Sequence, residues 1–214
     1  SRPPRLPSVT RLSSMAVTAG ISQLRSQFCQ SMIALNGLEQ NDFLHWVFHP
    51  GMLFGSSLTW WSPGGRRPSR HEGLDLCLYA GRTGLIHSLA AGMLVPAFAS
   101  GTVVGMIDDF LGQSIVVRAD DDLVIIQAHV RPYPTIKPGV RIQAQEAIAT
   151  IAGPGARHSS LLPHVHITLG RPHPGVDLRS LTWPELNAGK GLELFDPLGF
   201  MDCDHQVLPE HHQV

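Results

Sequence analysis

The chain changes its hydrophobic rhythm near residue 50. Before that point Ile21, Leu24, Phe28, Met32 and Leu35 recur at helical spacing, and Gly37 supplies a stop signal. The apolar stretch Phe43 to Phe48, closed by Pro50-Gly51, reads as a second short helix. These two elements predict an N-terminal helical accessory segment over 1–50, behind a Pro-, Arg- and Ser-rich lead-in at 1–12. Their apolar faces need cover, and the following domain is the natural partner.

From about residue 52 short β-type runs alternate with turns. They are Leu94–Phe98, Thr102–Ile107, Ser114–Arg118, Leu123–Val130, Ala147–Ala152 and His164–Leu169. The acidic triplet Asp120-Asp121-Asp122 falls between two of them. It lacks the alternating ligand spacing of a calcium loop and reads as a solvated hairpin turn. No fixed-period repeat is present. The pattern predicts a mainly β protein divided into 1–50, a catalytic-sized domain over 51–200 and a tail over 201–214.

Composition narrows the function. With 43% hydrophobic and 15% charged residues the 214-residue chain is a folding sequence, and 21 glycines and 17 prolines suit a turn-rich one. A formal net charge of −1 gives no electrostatic reason to expect nucleic acid or an anionic membrane. No apolar stretch reaches the length of a membrane span, and no signal-peptide pattern opens the sequence. Cys29, Cys77 and Cys203 form no C-x-x-C and read as free, mostly buried thiols.

The twelve histidines carry the candidate chemistry. His71 and Asp75 stand in Arg70-His71-Glu72-Gly73-Leu74-Asp75, and His164 and His166 in Pro163-His164-Val165-His166. Even spacing puts each pair on one face of an extended chain. Two imidazoles and a carboxylate suit Zn²⁺, and three protein ligands leave a fourth position open. His-Glu-x-x-His is absent, so proton transfer falls to spare histidines: His129 and the unliganded member of the His164/His166 pair. His45, His49, His87, His173, His205, His211 and His212 match no motif and read as structural or surface residues, His49 being the first candidate for an exception.

In that order the motifs resemble the lysostaphin-type (M23, LytM-like) zinc endopeptidases. The resemblance runs from Trp61 to Gly199 through His71-Glu72-Gly73-Leu74-Asp75-Leu76, Leu94-Val95-Pro96-Ala97, Ser100-Gly101-Thr102-Val103 and Gln127-Ala128-His129-Val130. It continues through Ile136-Lys137-Pro138-Gly139-Val140, Ile151-Ala152-Gly153, Pro163-His164-Val165-His166 and Asp196-Pro197-Leu198. It implies a strongly curved antiparallel β-sheet, a duplicated hybrid motif, with the helical segment added at the N-terminus. It implies His71, Asp75 and His166 as ligands of Zn²⁺, and His164 and His129 as general base and transition-state stabiliser. Its substrate is peptidoglycan or a related peptide, which implies a periplasmic, cell-envelope or secreted location. The chain departs from the family at Leu161-Leu162, where Thr-Gly or Ser-Gly is usual, at Gln127, where Tyr is usual, and in an insertion from Cys77 to Ala91. All three are expected around the cleft. One alternative stays open, a non-catalytic domain of the same fold acting as a cell-wall binding or regulatory module; a lipoyl-type carrier is discounted. Neither of the two lysines, Lys137 and Lys190, has the setting a carrier needs.

Overall fold

The computed structural model describes residues 24–153 and 161–211. Their strands are β1 (Phe43–Phe48), β2 (Leu74–Leu76), β3 (Leu78–Gly81), β4 (Ile86–Ser88), β5 (Leu94–Pro96), β6 (Gly101–Asp108) and β7 (Gln113–Ala119). They continue with β8 (Val124–Pro132), β9 (Arg141–Ile142), β10 (Ala147–Ile151), β11 (Val165–Pro172), β12 (Leu192–Phe195) and β13 (His205–Val207). Two α-helices accompany them, α1 (Phe28–Leu35) and α2 (Trp183–Asn187). The mainly β, antiparallel architecture expected from the sequence is what forms.

Nine strands make one sheet whose central path runs β12-β11-β8-β7-β6-β9. The β-branched run Val124-Ile125-Ile126 at its middle pairs with β7 on one side and β11 on the other. The far end of β8, Val130–Pro132, pairs instead with β10, which carries β5. Strand β2 lies on the other flank of β11. Side-chain alternation then sorts the two faces. Ile115, Val117, Ile125, Ile167 and Leu169 point into the main core, while Val116, Val124 and Ile126 point to the opposite face. There the connection between β11 and β12 folds back over them, burying Leu181, Leu186 and Leu192.

A second sheet has the order β13-β1-β3-β4. It corrects the helix expected over Phe43–Phe48. That segment is strand β1, paired antiparallel to β3 and parallel to β13. A short apolar run fits either element by periodicity, and here the long-range pairing decides. The N-terminal helix is real but starts at Phe28; Leu24–Gln27 lie outside it, and Ser26 bridges to Met201. The expected helical positions before residue 24 lie outside the described residues. Gly37 does end the segment, in the left-handed conformation at φ 61°.

Helix α1 packs against the large sheet as its apolar stripe requires. Phe28 and Phe98 have ring centroids 5.8 Å apart. Beyond the helix, Asn36 bridges to β5, accepting from the Leu94 amide at 2.7 Å and donating to its carbonyl at 2.9 Å. The Asp120–Asp122 triplet is a hairpin turn whose carboxylates meet arginines, Asp120 with Arg141 and Asp122 with Arg118. Cys29 and Cys77 are buried, Cys203 is partly exposed, and all three are free thiols.

Candidate metal centre

Strands β2 and β11 build the site. Asp75 on β2 sits directly opposite His166 on β11, and the other neighbour of His166 is Ala128 on β8. His166 therefore shares the face of Ala128 and Ile126, just beyond the end of the cover formed by α2. Trp183 of α2 closes that side, its ring edge-on to His166 at 5.5 Å. His71 comes from the loop before β2. Gly73 is required between them: a Cβ there would run into the Ile167 carbonyl and stand 2.7 Å from His166 Nε2.

Three donor atoms converge. His71 Nε2 is 3.2 Å from His166 Nδ1 and 3.3 Å from Asp75 Oδ1, and His166 Nδ1 is 2.8 Å from Asp75 Oδ1. Metal–ligand bonds of about 2.0–2.1 Å at tetrahedral angles put donors roughly 3.3 Å apart, so this triangle has the size of a metal site. All three residues are buried.

The surrounding hydrogen bonds select which atoms remain for a metal. His71 Nδ1 is bonded to the Leu53 carbonyl at 3.1 Å, which puts the proton there and leaves Nε2 a lone pair. His166 Nε2 is engaged by Thr168 Oγ1 at 2.9 Å, leaving Nδ1. Asp75 Oδ2 accepts from Trp60 Nε1 at 2.7 Å and from Arg67 at 3.1 Å, leaving Oδ1. Arg67 also donates to the Gly51 and Leu58 carbonyls and stacks over Trp61. Burial opposes ionisation of Asp75, but the imidazoles of His71, His166 and His164 hold its carboxyl well below the usual range.

The other two predicted histidines stand beside the triangle. His164 Nδ1 is bonded to the Leu162 carbonyl at 2.8 Å, and its Nε2 lies 3.9 Å from Asp75 Oδ1. Burial, only partly offset by Asp75, pushes the His164 imidazole down to about 4. The His129 ring lies 4.8 Å from that of His164 and 5.8 Å from that of His166. It reaches this face through a backbone irregularity. His129 has φ 62°, a left-handed conformation that costs roughly 1–2 kcal/mol for a non-glycine residue. All five predicted site residues thus meet in one place.

Asp75, His129, His164 and His166 line a cleft of about 740 Å³, and His71 is buried behind them. Trp61, Arg66, Arg67, Asp109, Phe110 and Trp183 also line the cleft. Asp109 and Trp183 carried no sequence signal, because neither lies in a spaced motif with the histidines. Of the three departures from the family, only Leu161 lines the cleft. Gln127 faces the main core, where its amide donates to the Pro96 carbonyl and accepts from the Phe98 amide. The Cys77–Ala91 insertion forms β3 and β4 of the second sheet. His49 is also elsewhere: it caps the turn at Gly51 and bonds the Glu210 carbonyl.

No family model matches the chain, and no curated protein does. Solved structures do. The solution structure of lysostaphin is 19% identical over 83% of this chain and 53% of its own, with TM-score 0.48. The catalytic domain of the prophage-encoded M23 protein EnpA from Enterococcus faecalis is 21% identical, over 61% of this chain and 91% of its own, with TM-score 0.38. A chain of the SpoIIQ–SpoIIIAH pore forming complex is 16% identical, over 86% and 94%, with TM-score 0.48. The chain spans about half the length of the lysostaphin structure it matches. In the order of its motifs the chain resembles the lysostaphin-type (M23, LytM-like) peptidases. What the site can do follows from its own residues.

Proposed function

We propose that the protein is a zinc-dependent endopeptidase that hydrolyses peptide bonds of peptidoglycan, in cross-bridges or stem peptides. The observation that carries this reading is the convergence of three mutually close metal donors with two further imidazoles that are not among them. His71 Nε2, Asp75 Oδ1 and His166 Nδ1 would hold Zn²⁺, a ligand set that leaves one coordination position open. When bound, the metal supplies Lewis acidity toward a substrate carbonyl and makes water a stronger acid.

The remaining steps belong to the protein. His164 is neutral at physiological pH, and with Nδ1 donating to Leu162 its Nε2 lone pair is free to take a proton from the attacking water. The same nitrogen then returns the proton to the leaving amine. His129 has Nδ1 at the Asp109 carboxylate, so Nε2 is its nitrogen for the cleft. In its protonated form it donates through both nitrogens, one to Asp109 and one to the oxygen on which negative charge develops. Trp61, Phe110 and Trp183 give the cleft apolar walls against which an extended peptide lies. A peptidoglycan substrate places the protein in the periplasm, in the cell envelope or outside the cell.

The test is digestion of purified peptidoglycan by the zinc-loaded protein, with released peptides identified by mass spectrometry. New amino termini that vanish with a chelator and return with zinc are expected. A protein that binds zinc and releases no peptide would favour a binding module.

A further inference from the structure

We propose that Asp109 is the positioning residue of this cleft, holding His129 in its left-handed backbone conformation and turning its ring so that Nε2 faces substrate. The inference rests on the peptidase reading for its activity arm, and on geometry for the rest.

Strand alternation alone would send His129 the wrong way. Gln127 points into the main core, and in a regular strand residue 129 would follow it. Instead Gln127 pairs with Ile115 and Val130 with Gln113, so Ala128 and His129 together face the single residue Ser114. This is a β-bulge, and with His129 at φ 62° it re-aims the imidazole to the face of His166.

Both sides of the bulge are tied to one carboxylate. Asp109 Oδ2 accepts from the His129 amide at 3.0 Å and from Ser114 Oγ at 2.8 Å. Its Oδ1 accepts from His129 Nδ1 at 3.1 Å, from the Leu111 amide at 2.9 Å and from the Gly112 amide at 2.7 Å. The last two bonds form the β6–β7 turn itself, so the turn fixes the carboxylate and the carboxylate fixes His129. Only 1% of the Asp109 side chain is exposed. Phe110, the next residue, lies edge-on to the His129 ring at 4.8 Å and limits its tilt. A carboxylate accepts at every one of these five contacts; an amide in its place must present a donor to one side of the bulge.

The experiment has two arms. In the zinc-loaded protein, ¹⁵N-resolved imidazole spectra are expected to show a slowly exchanging His129 Nδ1–H, lost or shifted in Asp109→Asn. Absence of that proton in the unsubstituted protein, or an unchanged His129 spectrum in the variant, would overturn the proposal. In the second arm Asp109→Asn, His129→Ala and the double variant are compared on the same peptide. Asp109→Asn is expected to keep its zinc and its KM while kcat falls on the order of 10²-fold, and to cost almost nothing further in the His129→Ala background. Equal losses in both backgrounds would mean that Asp109 does not act through His129. Ser114→Ala keeps the ring contact and is expected to turn over near normally. Should the unsubstituted protein cleave no peptide, the function reading fails while the spectroscopic arm still decides the role of Asp109.

Discussion

His166 and Asp75 face each other across adjacent antiparallel strands, with His166 Nδ1 2.8 Å from Asp75 Oδ1. Two of the three candidate metal donors are thereby set by a backbone ladder, and only His71 depends on a loop. A side-chain contact within β11, Thr168 Oγ1 on His166 Nε2, decides which ring nitrogen is left for a metal. Thr168→Val is therefore expected to weaken zinc binding about 10–100-fold with the fold intact, as loss of an outer partner of a ligand does. Competition against a chromogenic chelator measures it; an unchanged affinity would mean that the ring needs no such partner.

Gly73 sets the approach of the loop to β11. Gly73→Ala brings a methyl group against the Ile167 carbonyl, which cannot move without disturbing the ladder, and against the His166 ring, which cannot move without disturbing its contacts to Asp75 and Thr168. A stability loss of about 1–3 kcal/mol is expected, with zinc binding impaired in the folded fraction. Urea unfolding with and without zinc distinguishes these; a variant as stable and as metal-competent as the parent would contradict the packing described.

Much of this site was legible because its chemistry follows strand alternation. The spacings His71/Asp75 and His164/His166 are even, and β11 presents His166 and Thr168 on one face as a period of two requires. The β-runs from Leu94 to Leu169 were legible for the same reason. Where alternation breaks, the reading breaks with it. His129 was picked out by its motif, but a strand of strict period would bury it beside Gln127, and no residue in the sequence announces the bulge. Asp109 lies twenty residues away across a hairpin, so nothing local links the two. Strand β1 was read as a helix because Phe43–Phe48 is apolar at every position but His45, with no alternation to mark a strand, and its partner β13 lies near the other end of the chain.

Gln127 illustrates a position that the sequence comparison misplaced. Its buried amide satisfies the Phe98 amide and the Pro96 carbonyl. Gln127→Leu leaves both without a partner, at about 1–3 kcal/mol for each buried group, and is expected to lower the melting temperature without changing zinc content. Loss of zinc in a folded Gln127→Leu protein would place this residue in the cleft after all.

Asp109 also links stability to pH. Burial raises its pKa, but the hydrogen bonds and charge of His129 and the bond from Ser114 outweigh burial and hold the carboxyl below its ordinary value of about 3.9. A carboxyl depressed in the folded state contributes stability that is present above its unfolded pKa and is lost as pH falls toward the folded one. The stability difference between the parent and Asp109→Asn is expected to shrink as pH falls below about pH 4. Urea midpoints across that range check it; a difference that grows on acidification would have the wrong sign.

The central claim is a division of labour among five residues: His71, Asp75 and His166 hold zinc, while His164 and His129 act beside it. Zinc content measured together with peptide release from peptidoglycan, for the parent and for Asp75→Ala, His166→Ala, His164→Ala and His129→Ala, tests it most directly. Asp75→Ala and His166→Ala are expected to lose zinc and activity together. His164→Ala and His129→Ala are expected to keep about one zinc per chain while turnover falls on the order of 10²–10⁴-fold. Full zinc in Asp75→Ala, zinc lost from His164→Ala but kept in His166→Ala, or near-normal turnover in His129→Ala would contradict the account.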